Sequence, residues 1–336
     1  MIRVAINGFG RIGRASFKAL LNRPGIEVVA INDLTDTSAL AHLLKYDSVY
    51  GRYGKKVSAT KEALVVDGKK YPVFAQKDPS ALPWKDLKVD IVIESTGIFL
   101  DEAGAGLHLK AGAKKVILSA PGKTDSVKTF VIGVNADKIK KTDKIISMAS
   151  CTTNCLAPVT DILSAKFGIK KAVMSTVHAY TADQALVDGP HRDLRRARAA
   201  ALNIIPTTTG AAKAVSATIP ALKDKFDGMS IRVPVPVGSL CDAVYVLNTK
   251  VTAEQVNAAI VAAAKLPKYK GIVVATDEPI VSADIVADPA SSIVDLSCTK
   301  VIDGDLLKVV SWYDNETGYS NRLADLCVMI AKKKLL

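Results

Sequence analysis

The chain has 336 residues, 49% hydrophobic and 23% charged, and carries a formal net charge of +12 at pH 7. This composition is that of a globular protein with apolar material for about two domains. It excludes a membrane span, because no apolar run approaches the roughly 18 to 20 residues required. Five scattered cysteines argue against a disulfide framework and for a reducing, cytoplasmic setting. A strand-like run starts directly after Met1, so no secretory leader is expected. The positive charge admits a nucleic-acid surface, an acidic membrane surface or sites for phosphorylated small molecules. Most of it is scattered lysine, as on a solvated face. The tight clusters, 192–198 and 332–334, are not interleaved with aromatics as a single-strand binding platform would be.

The first 150 residues alternate strand and helix. Strands are expected over Ile2–Asn7 and Ile26–Asn32, with helices over Arg11–Asn22 and near Thr37–Leu44. A hairpin follows, Leu64–Val66 and Tyr71–Phe74 about a turn at Asp67-Gly68. Further strands are expected at Asp90–Glu94, Lys115–Leu118, Thr129–Gly133 and Lys144–Met148, with a helix near Leu100–Ala111. Short apolar strands such as Ile91-Val92-Ile93 fit a parallel sheet covered on both faces. The alternation predicts an α/β fold, a doubly wound parallel sheet with right-handed crossovers.

Beyond residue 150 the pattern changes. A helix from Thr152 to about Lys166 contains Pro158, which should kink it. Longer, more alternating strands follow at Ala172–His178, Met229–Pro234, Leu240–Leu247, Ile272–Ala275 and Leu306–Tyr313. They predict an α+β domain with a mostly antiparallel sheet. Helices are expected at Gly210–Ser216, Thr252–Ala264 and Gly318–Lys332.

Gly8-Phe9-Gly10-Arg11-Ile12-Gly13 matches G-x-G-x-x-G, follows a strand and opens a helix. Asp33 lies at the end of the second strand, with the spacing of the acidic residue that takes a ribose hydroxyl. Together they predict a Rossmann-type dinucleotide site, with pyrophosphate at the helix N-terminus. The Asp33 carboxylate would repel a 2′-phosphate, and Leu34, Thr35 and Asp36 offer no cation, so NAD is expected over NADP. Strand ends at Ser95-Thr96-Gly97, Ser119-Ala120 and Ser150-Cys151 fall on the same rim by topology.

Cys151 follows an apolar strand and opens a helix, where amides and the helix dipole favour a thiolate nucleophile. The competing reading is a buried small apolar residue. A cysteine beside a nicotinamide points to aldehyde oxidation through a thiohemiacetal. Of four histidines, His178 ends a strand and is the candidate base, while His42 and His108 fall in helical parts where packing is the simpler role. Arg232 lies inside an apolar strand, so it serves either an anion or a structural ion pair. Cys151 and Cys155, one turn apart with no further Cys or His near, are poor metal ligands, and no metal is expected.

Long motifs carry a resemblance over nearly the whole chain: Asn7 to Arg14, Ser150 to Cys155, His178 to Thr181, Ile205 to Lys213 and Trp312 to Ser320. The chain resembles the phosphorylating glyceraldehyde-3-phosphate dehydrogenases of the bacterial-like, glycolytic type. The resemblance implies a glyceraldehyde 3-phosphate thiohemiacetal on Cys151, with His178 as partner and base, and a thioester attacked by inorganic phosphate. It implies a substrate-phosphate site at Thr181 and Arg232. It implies an attacking-phosphate site at Ser150, Thr152, Thr209 and Gly210, with Arg196 near by. It assigns cofactor contacts to Gly8, Gly10, Arg11, Ile12, Gly13, Asp33, Lys77, Ser119 and Asn315. It implies a homotetramer with an S-shaped loop at residues 192–198. The expected domains are an NAD-binding domain, 1–150, to which a C-terminal helix at about 318–332 returns, and a catalytic and tetramerisation domain, 151–317. Gly189 stands where some relatives have leucine. A sister family oxidising erythrose 4-phosphate shares the thiol, histidine and cofactor fold. A basic nucleic-acid or surface-binding protein is the rival of another class, and nucleic-acid binding stays open as a secondary role.

Overall fold

The computed structural model describes residues Met1–Leu336 and divides into two compact units. The first comprises residues 1–130, 138–149 and 320–336, the second 131–137 and 150–319.

In the first unit, β1 (Ile2–Asn7), α1 (Arg11–Leu21), β2 (Ile26–Asn32) and α2 (Thr37–Lys45) form an opening β-α-β-α run. A small pair, β3 (Tyr46–Asp47) and β4 (Gly51–Arg52), precedes an antiparallel edge of β5 (Val57–Thr60), β6 (Ala63–Val66) and β7 (Lys69–Phe74). The β6–β7 turn has Asp67 at φ 49° and Gly68 at φ 83°, both left-handed, as a tight hairpin turn requires. The chain then adds β8 (Ile91–Glu94), α3 (Glu102–Lys110), β9 (Lys115–Leu118), β10 (Lys128–Thr129) and β11 (Ile145–Ser147). The sheet order is β10-β11-β9-β8-β1-β2-β7-β6-β5. It is parallel from β10 to β7, so the expected doubly wound fold is borne out. From β1 the chain winds outward through β2 to β7, then returns to β8 on β1's other side. That reversal creates a ligand crevice at the carboxyl ends of β1 and β8. Ile91, Val92 and Ile93 are fully buried, each stabilising the sheet by about 1.5–3 kcal/mol relative to exposure.

The expected strand at Thr129–Gly133 is corrected. Only Lys128–Thr129 pairs, with β11. Val131 N–H then donates to Asn135 Oδ1 at 2.8 Å, and the amides of Val134, Asn135 and Ala136 converge on the Val131 carbonyl. Gly133 at φ +84° completes that turn, so an apolar run reads as strand but folds as a loop.

The second unit opens with α4 (Cys151–Phe167) and β12 (Ile169–Ala179). It continues through β13 (Ile205–Thr207), α5 (Ala211–Thr218), β14 (Phe226–Val233), β15 (Ser239–Leu247) and α6 (Ala253–Ala264). It ends with β16 (Val273–Thr276), β17 (Ser292–Ile302), β18 (Leu306–Tyr313) and the start of α7 (Thr317–Lys332). The order is β13-β14-β12-β15-β18-β17-β16, antiparallel except for β12–β14 and β16–β17, the mostly antiparallel sheet expected. α4 runs unbroken through Pro158. It is tied to the sheet by buried hydroxyls: Thr152 to Tyr313 on β18 (2.8 Å) and Thr160 to Tyr245 on β15 (2.9 Å). Each such bond contributes about 0.5–1.5 kcal/mol. Residues 320–336, most of α7, belong to the first unit, where Arg23 bonds Asp325 (2.8 Å) and Asn321 (3.0 Å).

Candidate active site

A candidate cofactor site in the first unit is built on the β1–α1 turn. Its three glycines have three different reasons. Gly8 has φ +90°, and a Cβ there would meet the Ser95–Thr96 backbone at 2.8 Å. At Gly13 a Cβ would meet the Gly8 carbonyl oxygen at 2.1 Å, so α1 approaches the strand only without a side chain. At Gly10 a Cβ would meet nothing within 4 Å. The bare backbone there opens onto a cavity of about 580 Å³ whose lining includes Asn7, Gly8, Gly10, Asp33, Lys77 and Thr96. Replacing Gly13 with alanine should therefore abolish folding or NAD binding, whereas Gly10→Ala should leave the thermal midpoint nearly unchanged and weaken NAD binding. Melting curves with and without NAD distinguish the two.

Asp33 accepts from Phe9 N–H (2.7 Å) and Thr35 N–H (2.9 Å), which holds its carboxylate at the cavity wall. α1 has Gly10 at its N-cap and no side-chain cap, and α5 likewise begins at Gly210 without one. In contrast α2, α3, α4 and α6 are capped by Asp36, Asp101, Ser150 and Thr252. A helix N-terminus with no capping oxygen is suited to an external anion. The residues present thus fit a dinucleotide: a bare glycine turn, an uncapped helix start and a carboxylate at the second strand end.

Not every expected cofactor residue lines this cavity. Arg11, Ile12, Gly13 and Ser119 do not. The Arg11 guanidinium pairs with Asp47 (3.2 Å) and lies 5.9 Å from the Tyr50 ring centre, so its side chain is committed elsewhere. Ser119 donates its amide to the Glu94 carbonyl at 2.9 Å.

A second candidate site lies in the second unit. Ala149, where the chain passes from the first unit to the second, has φ 57° and is fully buried. This left-handed backbone costs a non-glycine residue roughly 1–2 kcal/mol, and it turns the chain from β11 into α4. Ser150 caps that helix, its Oγ accepting from Thr153 N–H at 3.1 Å. Cys151 is then the first helical residue.

The Cys151 Sγ lies 3.4 Å from His178 Nε2. His178 Nδ1 lies 2.7 Å from the Ala179 carbonyl. A carbonyl only accepts, so Nδ1 carries the ring proton and Nε2 faces the sulfur as an acceptor. Burial pushes the thiol up to about 11, against the lowering influence of Arg232 and Thr152. Burial and Arg232 push the imidazole down to about 3. Both shifts oppose a separate anion or cation at this pair, and the geometry leaves Nε2 as the acceptor that the thiol faces.

His178 and Arg232 are register partners on the parallel strands β12 and β14, which places both side chains on one face. Arg232 Nη1 donates to Thr181 Oγ1 (3.1 Å) and the Ala179 carbonyl (3.2 Å). It pairs with no carboxylate, so the structural ion-pair alternative is not what is found, and its Nε is buried without a partner. Burial and Arg196 hold the Arg232 guanidinium below its ordinary range. A half-buried guanidinium with an unpartnered Nε suits an anionic substrate group.

Arg196 differs. It donates to Thr207 Oγ1 (3.0 Å) and the Thr208 carbonyl (3.3 Å), pairs with Asp183 and lies 3.6 Å from Asp193, so its charge is largely compensated. Thr209 Oγ1 accepts from Ala211 N–H at 3.2 Å, in the turn that leads into α5. Thr152 is buried, its hydroxyl bonded to Tyr313. Asn315 Oδ1 accepts from Gly238 N–H (3.2 Å) and Ser239 Oγ (3.0 Å), which fixes the orientation of its amide.

Tyr313 was not singled out from sequence, although it lies within the Trp312–Ser320 motif. Its hydroxyl joins Thr152 on α4 to Thr176 on β12 (2.9 Å), and its ring meets His178 edge-on with centres 6.0 Å apart. It braces the helix carrying the thiol against the strand carrying the imidazole. No group of three or more His, Cys, Asp or Glu residues is arranged to hold a metal ion.

A dinucleotide-type unit and a unit with a cysteine–histidine pair beside a half-buried arginine fit the class of NAD-dependent oxidoreductases. Two family models match the chain: glyceraldehyde 3-phosphate dehydrogenase, NAD binding domain, over residues 2–102, and glyceraldehyde 3-phosphate dehydrogenase, C-terminal domain, over residues 150–315. Curated relatives named glyceraldehyde-3-phosphate dehydrogenase match from end to end. One from Geobacillus stearothermophilus is 56% identical over 335 residues, 99% of each chain. One from Bacillus subtilis is 55% identical over the same share, and one from Mycobacterium tuberculosis is 56% identical over 98% of this chain and 99% of its own. The chain belongs to the glyceraldehyde-3-phosphate dehydrogenase family, with NAD as its cofactor. The erythrose 4-phosphate alternative is not favoured by these matches.

Proposed function

We propose that this protein oxidises D-glyceraldehyde 3-phosphate with NAD and inorganic phosphate to 1,3-bisphosphoglycerate, as a step of glycolysis and gluconeogenesis. The observation that carries this reading is the 3.4 Å Cys151–His178 contact, with Nε2 left as acceptor. The Cys151 sulfur attacks the aldehyde carbon, and its proton passes through the imidazole to the carbonyl oxygen, which gives the thiohemiacetal hydroxyl and leaves His178 neutral again. Bound NAD supplies the hydride acceptor. His178 takes the hydroxyl proton as the thiohemiacetal becomes a thioester. Phosphate then attacks the thioester carbon and the thiolate leaves.

In this reading Thr181 and Arg232 hold the substrate phosphate. Ser150, Thr152, Thr209 and Gly210 receive the attacking phosphate, with Arg196 stiffening that loop through Asp183 and Thr207. Gly8, Gly10 and Asp33 hold the adenosine end of NAD, with Lys77 at the cavity rim, the amides of Arg11, Ile12 and Gly13 near the pyrophosphate, and Ser119 and Asn315 toward the nicotinamide. Residues 1–150 with the C-terminal helix serve as the NAD-binding domain, and 151–317 as the catalytic and tetramerisation domain.

Leu186, Val187, Leu194, Leu202 and Ile204 are each at least 71% exposed within one short segment. Clustered apolar exposure supports burial against other subunits, and a homotetramer is the assembly proposed. No helix is long and apolar enough to cross a membrane, and the five cysteines are free; the proposed location is the cytoplasm. The discriminating assay is NADH formation from glyceraldehyde 3-phosphate with and without inorganic phosphate. Activity should collapse without phosphate and return with arsenate; phosphate-independent turnover would refute acyl transfer.

A further inference from the structure

Beneath the cofactor cavity lies a buried polar chain that the chemistry above does not use. Glu94, at the end of β8, and His108, on α3, are both fully buried. Asn7 Nδ2 donates to Glu94 Oε2 at 2.5 Å, and His108 Nε2 lies 3.0 Å from the same oxygen. Thr96 N–H donates to Oε1 at 2.8 Å, and the Thr96 hydroxyl donates there as well.

The donor and acceptor roles follow from hydrogen-bond chemistry alone. Trp84 Nε1 meets His108 Nδ1 at 3.0 Å. An indole N–H only donates, so Nδ1 is an acceptor and the single ring proton of a neutral imidazole lies on Nε2. Nε2–H therefore donates to Glu94. Four donors converge on the carboxyl group, so both of its oxygens serve as acceptors. The indole fixes which ring nitrogen faces that group.

This lock has a direction. Because Glu94 only accepts, Asn7 must present its NH₂ to it and its oxygen to the other side. Asn32 Nδ2 donates to that oxygen at 2.7 Å and to the Gln76 carbonyl at 3.0 Å, and Asn32 Oδ1 accepts from Gln76 N–H at 2.9 Å. Asn7, Asn32 and Gln76 all line the cavity, next to Asp33. The carboxylate at one end and the Gln76 backbone at the other thus permit a single orientation of both amides.

We propose that Glu94, locked by the Trp84–His108 pair, is a positioning residue for the cofactor, setting the donor–acceptor polarity of the cavity wall that receives the adenosine end of NAD. The proposal rests on reading this cavity as the NAD site. An amide in place of the carboxylate presents an NH₂ to at least one fixed donor, so Glu94→Gln keeps the shape and breaks the polarity. Trp84→Phe removes the indole donor and lets His108 move its proton to Nδ1, so that Nε2 can accept from the new amide.

The test compares wild type, Glu94→Gln, Trp84→Phe, the double variant and Asp33→Asn. The readouts are the NAD dissociation constant, KM and kcat, and Cys151 alkylation without NAD. Glu94→Gln should weaken NAD binding by about tenfold with kcat at saturation and alkylation unchanged. In the Trp84→Phe background the loss caused by Glu94→Gln should shrink. NAD binding within twofold of wild type in Glu94→Gln, or effects of the two substitutions that simply multiply, would overturn the proposal. Should Glu94→Gln fail to fold, Trp84→Phe alone decides: about threefold weaker NAD binding supports the lock, and unchanged binding overturns it. If Asp33→Asn leaves NAD binding intact, the cavity reading itself falls and the proposal with it. If Asp33→Asn loses binding while Glu94→Gln does not, only the positioning role is lost.

Discussion

Cys151→Ser should lower NADH formation from glyceraldehyde 3-phosphate by at least about 10³-fold, the scale on which loss of a catalytic nucleophile is felt. The reason is chemical. A serine hydroxyl at this position keeps the helix start and the His178 contact but is far harder to deprotonate than a thiol. NAD binding should change by less than about threefold, because the cavity lined by Gly8, Gly10 and Asp33 draws its residues from the first unit. Rapid-mixing assays for acyl-enzyme, alongside calorimetric NAD titration, separate the two effects. Retention of a tenth of the activity would remove Cys151 from the mechanism.

His178→Asn should slow Cys151 alkylation at pH 7 by at least about tenfold, and the deficit should narrow as pH rises. The sign follows from the thiol's surroundings. Burial raises its pKa toward about 11, so without an acceptor for its proton the thiolate is scarce at neutral pH. Its population then grows about tenfold per pH unit until that value is reached. In the wild type, Nε2 at 3.4 Å can take the proton within the pair, and thiolate forms without leaving a separate buried charge. Iodoacetamide rate profiles from pH 6 to 10 on both proteins give the comparison. A constant ratio across that range would show that the imidazole does not receive the thiol proton.

The candidate dinucleotide site was legible because its determinants are local. The glycine turn and Asp33 act through backbone within one β-α-β unit, and spacing reports them directly. The Cys151 helix start was legible for the same reason. The eleven-residue strand Ser292–Ile302 was missed entirely. Its pairing with β18 shifts register between Asp295 and Lys300, and Ser297, Cys298, Thr299 and Lys300 interrupt any clean alternation. The error at Thr129–Gly133 has the opposite cause. There an apolar run is buried in a turn stitched by Asn135, and hydropathy does not distinguish a buried turn from a buried strand.

Residue types and their order along the chain dictated the fold class, the glycine geometry of the cofactor turn and the placing of Cys151 at a helix start, because each depends on neighbours a few positions apart. Folding in three dimensions decided the rest. It paired His178 with Arg232 as register partners 54 residues apart in sequence, assigned the imidazole proton through a carbonyl, left Arg232 without a carboxylate and engaged Arg196 with two. It also placed Glu94 under four donors drawn from three separate segments. Proton positions and charge compensation depend on which groups meet through space in a water-poor interior, and those meetings join residues that linear spacing leaves unrelated.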